Sequence, residues 1–72
     1  MNRTEHLNWA KQRANEYLDM GFVILAWQSL CTDLSKHEQL QNHPGVAIGV
    51  QNLILGHLKT ESAMRKFIND FS

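Results

Sequence analysis

The stretch Pro44-Gly45-Val46-Ala47-Ile48-Gly49-Val50-Gln51-Asn52-Leu53-Ile54-Leu55 is nearly free of charge and apolar on more than one side. At a helical period Val46, Val50, Leu53 and His57 lie along one line, and Ala47, Ile48, Ile54 and Leu55 widen the apolar surface around it. A helix apolar over most of its circumference has to be covered by other elements. This stretch is therefore expected at the centre of the domain, with the remaining segments as its cover. Pro44 suits the first helical position, where its missing N–H costs nothing, and Gly56 is placed to close the element. Gly45 and Gly49, four apart, would weaken the helix by about 1 kcal/mol each against alanine. They read as a place where another part of the chain, or a second copy, passes close by.

The cover has to be short. Seventy-two residues make one small domain, in which apolar burial only narrowly exceeds the entropy of ordering the chain. Cys31 is the only cysteine, so no disulfide can close within the chain. A lone thiol suits a reducing compartment, and the cytoplasm is the expected location. Seven basic and seven acidic residues give a net charge of zero with neutral histidines. That balance argues against broad attraction to nucleic acid or an anionic membrane. It also protects solubility poorly, and a homodimer is expected. No apolar run approaches the roughly 20 residues of a membrane span. The opening Met1-Asn2-Arg3-Thr4-Glu5-His6 leads into a polar amphipathic segment rather than a signal-peptide core.

Taken in order, the chain reads as four helices over about 4–20, 23–35, 44–56 and 61–71. In the first, Thr4 is the expected N-cap with Glu5 in the first turn. Leu7, Ala10, Ala14, Tyr17 and Leu18 mark its buried stripe. Gly21 is placed to end it in the left-handed conformation. The second helix turns Val23, Ala26, Trp27, Leu30 and Leu34 inward, while Phe22, Ile24 and Leu25 make its first turn apolar all round. Residues 38–43 form a polar connection. Thr60 caps the last helix, whose inner residues are Ala63 or Met64, Phe67, Ile68 and Phe71. Glu61/Arg65 and Lys66/Asp70 are i,i+4 surface pairs. No run alternates long enough for a strand. Short connections imply antiparallel neighbours, so the fold expected is all-α: a small four-helix domain built from two antiparallel helical hairpins.

Two resemblances bear on function. Ala14, Tyr17, Gly21, Ala26 and Leu30 are spaced as in a single tetratricopeptide unit, with departures at Asp33, where a small residue is usual, and at Glu38, where proline is usual. One unit cannot stack into an array, so this likeness supports a helical hairpin and no peptide groove. Over nearly the whole chain, Met1–Leu7, Trp9–Ala14, Lys36-His37, Gly56-His57-Leu58 and Met64–Ile68 resemble a group of small uncharacterised proteins of tailed phages and prophages. In those the turn after the glycine usually carries an acidic helix cap; here Phe22-Val23 stands there. The resemblance implies a dispensable accessory protein that binds and diverts a host component.

The chain offers little for catalysis. Cys31, His37 and His43, six apart, match no standard zinc spacing, and neither a metal nor any other cofactor is expected. No glycine-rich turn or convergent acid accompanies Cys31, which reads as a small core residue of an apolar helix. The chain is expected not to be an enzyme. Trp9, with Arg13 and Met20 on the same side of the first helix, is the leading surface feature, because Trp and Arg concentrate binding energy at interfaces. Phe22, Ile24 and Leu25 form a second candidate, an apolar patch that calls for a protein partner. Arg3, Lys11, Arg13, Arg65 and Lys66 are the basic residues open to the alternative of a nucleic-acid-associated regulator. Acidic residues interrupt them, and no helix carries a basic stripe.

Overall fold

The structure, a computed structural model, describes all of residues 1–72. It contains four helices and no strand: α1 (Arg3–Asp19), α2 (Val23–Leu34), α3 (Pro44–Ile54) and α4 (Glu61–Asn69). The fold is the expected small all-α domain.

The two tight helix ends share one mechanism. After α1, Gly21 adopts a positive φ of 85°. Its N–H then donates to the Leu18 carbonyl, and the N–H of Phe22 donates to Tyr17. These are the paired bonds of a Schellman cap, which need a residue free of Cβ strain. Gly56 (φ 79°) repeats the arrangement after α3, with Gly56 bonding to Leu53 and His57 to Asn52. The starts of the helices differ more. Asn2, not Thr4, caps α1, in a reciprocal capping box with Glu5. An amide two residues earlier completes that box, because Glu5 then falls at the third helical position. Thr60 caps α4 as expected. At α3 the cap is His43, whose Nδ1 accepts from the Gly45 N–H.

Directions follow from the contacts. His6, near the start of α1, bonds to Asp33 near the end of α2. Lys11 and Asn15 of α1 bond to Asn69 at the end of α4, while Arg65 reaches back to Asp19. Gly45 at the start of α3 lies against Phe71, just past α4. Thus α1 and α2 are antiparallel, α3 and α4 are antiparallel, and α4 lies against α1 and α2.

The core is assembled from α1 (Leu7, Ala10, Ala14, Leu18), α2 (Ala26, Trp27, Leu30, Leu34) and α4 (Met64, Ile68, then Phe71). Leu40 and Leu58, each in a connection, complete it. The expectation that residues 44–55 lie at the centre is overturned. Only Gly49 of α3 is buried, with Val46 and Leu53 partly covered, while Ile48, Val50, Ile54 and Leu55 are exposed. Its true inner line is therefore Val46, Gly49 and Leu53. Val46 and Leu53 of the expected line do face inward, Val50 and His57 do not, and Gly49, which carries no hydropathy signal, is the most buried residue of the helix. Tyr17 is likewise half-buried rather than in the sealed stripe.

What docks α3 is an aromatic cluster. Trp27 sits 5.8 Å from Phe67 and 6.2 Å from Phe71, ring centre to ring centre, and Phe67 meets Phe71 edge-on at 5.5 Å. A Cβ at Gly49 would lie 2.6 Å from Trp27 Cζ2 and nearer still to Cη2; one at Gly45 would lie 2.8 Å from the Phe71 ring. The glycine pair is thus an internal close-packing device. Gly49→Ala, which in an open helix would stabilise by about 1 kcal/mol, is expected here to destabilise by about 1–3 kcal/mol through overpacking. Urea unfolding followed by circular dichroism measures this, and an unchanged or higher midpoint would contradict the packing.

Candidate functional site

The six residues singled out from the sequence fall into two neighbourhoods. Trp9 and Arg13 belong to a polar clasp between α1 and α2. Met20, Phe22, Ile24 and Leu25 gather at the α1–α2 turn, where each is between 46% and 59% exposed.

The clasp is organised by Asp33, the one buried charged residue. Its carboxylate accepts from Arg13 Nε at 2.7 Å, from Lys36 Nζ at 3.3 Å and more weakly from the Ser29 hydroxyl at 3.5 Å. A carboxylate removed from water needs such partners, since an unpaired buried charge is far more costly than a paired one. The same hydrogen bond and charge hold the Arg13 guanidinium above its ordinary pKa. Arg13 and Lys36 also lie over the Trp9 ring, at 5.2 and 5.8 Å from its centre. His6 packs against both Trp9 and His37 at 5.1 Å and donates from Nε2 to the Asp33 carbonyl oxygen at 2.6 Å. Trp9 is therefore half-covered by His6, Arg13 and Lys36 rather than by α4. Asp33, a departure from the tetratricopeptide pattern, is what sequence reasoning left unassigned. Its signal was an acid on the inner side of an apolar helix, which demands a cation opposite.

Arg13 also joins the clasp to the turn. With Tyr17, Leu25, Ser29 and Asp33 it lines a shallow depression of roughly 240 Å3. With Glu16, Tyr17 and Met20 it lines another of roughly 180 Å3. Both are below the roughly 300 Å3 at which small-molecule pockets begin. Tyr17 is common to both, so a strip Arg13–Tyr17–Leu25–Met20 runs along the hairpin to its tip. Its mixture of Arg, Tyr and aliphatic side chains matches the composition of protein interfaces.

At the tip the start of α2 is unusual. Phe22 occupies the N-cap position, makes no side-chain capping bond, and no acidic residue stands in the first turn. Each of the other three helices begins with a side chain that accepts from its own first-turn N–H groups.

The basic residues are mostly engaged. Arg3 donates to the backbone oxygen of Ser72, Lys11 to that of Asn69, Arg65 to Asn15, Asp19 and Glu61, and Lys66 to Asp70. They do converge along the α1–α4 seam, but Asp19, Glu61 and Asp70 lie among them. Cys31 packs half-buried against the core, and burial pushes its thiol pKa up. No three His, Cys, Asp or Glu side chains gather as a metal site would require. No helix is long and apolar enough to cross a membrane. Compared with protein-family models, with curated proteins and with solved structures, the chain matches none.

Two outcomes follow. Asp33→Ala is expected to lower stability by about 1–3 kcal/mol through loss of charge-assisted hydrogen bonds, read as a lower denaturant midpoint. For Cys31, the folded state holds the neutral thiol while the unfolded chain ionises near its ordinary pKa of about 8.5. Its contribution to stability is therefore intact below that pH and declines above it. Wild type should lose more stability than Cys31→Ala between about pH 7 and pH 10, and an equal loss would contradict the burial.

Proposed function

We propose that this chain is a non-enzymatic accessory protein of the tailed-phage kind, which acts in the host cytoplasm by docking the tip of its α1–α2 hairpin onto a host protein. The observation that carries this reading is the uncapped start of α2. A Ser, Thr, Asp or Asn at position 22 would stabilise the helix by about 1 kcal/mol. Instead a phenylalanine stands there, exposed beside Met20, Ile24 and Leu25. Local stability is given up for apolar surface, as happens where a surface is kept for binding. The adjoining strip of Leu25, Tyr17 and Arg13 supplies the aromatic and guanidinium contacts that dominate interface energetics. Trp9 acts at one remove, by backing Arg13. The sequence resemblance to phage accessory proteins supports the host-directed setting.

Phe22→Asp separates stability from binding. It restores a capping residue and is expected to raise the melting temperature by about 4–8 °C, the equivalent of roughly 1 kcal/mol in a domain of this size. Paired with Ile24→Lys, it should abolish capture of the partner that the wild-type chain retrieves from host extract, as identified by mass spectrometry. Capture at an unchanged level by the folded double variant would refute docking through the tip.

A further inference from the structure

The outward side of α3 is a second apolar surface, separate from the strip on α1 and α2. With Val46, Gly49 and Leu53 turned inward, the 100° step of a helix places Ala47, Gln51, Ile54 and Leu55 on the outward side, with Val50 on one flank and Ile48 on the other, at the rim of the groove to Phe67 and Phe71. All six are exposed, and Ile54 is 80% so. We infer that this face pairs with the same face of a second copy of the chain, α3 lying antiparallel on α3 across a two-fold axis at Gln51.

Three features select a second copy over another occupant. The first is charge. From Pro44 to Gly56 there is no ionisable side chain, so the face meets its own image without like-charge repulsion, which a two-fold otherwise imposes wherever a charge lies near the axis. It offers no charge by which a different protein would be recognised. The second is Gln51, the single polar residue of the face and its midpoint. An amide is both donor and acceptor, so two Gln51 side chains at the axis satisfy each other. Antiparallel pairing about that point sets Ala47 opposite the partner's Leu55, small against large, and Ile48 opposite the partner's Ile54.

The third is size. A standard interface covers about 800 Å2 per partner, under about a fifth of the 4492 Å2 the chain exposes. An isolated helix of eleven residues containing two glycines is marginal, and a second packing surface would steady it. This inference stands independently of the docking role given to the tip.

Sedimentation equilibrium of the full chain through the micromolar range tests it. The expected result is a reversible monomer–dimer equilibrium. Ile48→Glu and Ile54→Lys, both at exposed positions, should each be monomeric with unchanged helical content, and mixing the two variants should restore a heterodimer, because the antiparallel register sets position 48 against position 54. The inference is overturned if wild type remains monomeric at about 100 μM, a weak association on the scale of about 5–6 kcal/mol. It is also overturned if Phe22→Asp rather than Ile54→Lys dissolves the dimer, or if the folded variants fail to recombine. A monomeric wild type or a failed recombination leaves capture of a host protein by the tip untouched, whereas loss of the dimer in Phe22→Asp would move self-association to the tip.

Discussion

The contact between Trp27 and Gly49 seats α3 on the rest of the molecule. Trp27 is the largest side chain in the core, and α1, α2 and α4 alone leave one side of it open. Helix α3 closes that side only because its backbone can approach the ring where a Cβ would collide. Gly45 repeats the device one turn earlier against Phe71, whose ring also lies 4.9 Å from that of His43. His43 in turn caps α3 through Nδ1 and donates through Nε2 to the Ser72 backbone oxygen at 2.8 Å. Aromatic rings set into glycine notches thus hold α3 against α2 and the end of α4. Two glycines that weaken α3 as an isolated helix are the condition for its docking.

This arrangement explains which parts of the fold could be read from the chain. The stripes of α1, α2 and α4 were legible because Leu7, Leu30, Met64 and their neighbours announce the buried side by their bulk. The turns at Gly21 and Gly56 were legible because left-handed backbone favours glycine strongly. The peripheral place of α3 was not, since its most buried residue has no side chain to count and most of its apolar residues stay exposed. Leu40 and Leu58 were missed for a different reason. Each is a lone apolar residue in a polar connection, and a single residue has no period.

The candidate surface was legible in part. The exposed cluster Met20, Phe22, Ile24 and Leu25 could be named because four apolar side chains crowd a turn that one small neighbour cannot cover. Trp9 and Arg13 were rightly paired with each other. Their common anchor was hidden, because Asp33 looks like a surface acid until Arg13, twenty residues away, is seen to meet it. A buried carboxylate with two cations fixes the angle between α1 and α2 more narrowly than leucines alone would, since its partners must stay within hydrogen-bond distance. Tyr17 and Leu25 then face outward along the same groove. The clasp thus acts as a brace for the strip that runs to the tip.

The bonds of Arg3 and His43 to Ser72 have a practical meaning. They bring the first and last residues together at the pole of the bundle remote from the greasy turn. Anything fused to either extremity, whether a reporter, a resin tether or further polypeptide, would leave from the far side and keep clear of Phe22. The fold can be held by its tail while its nose stays free.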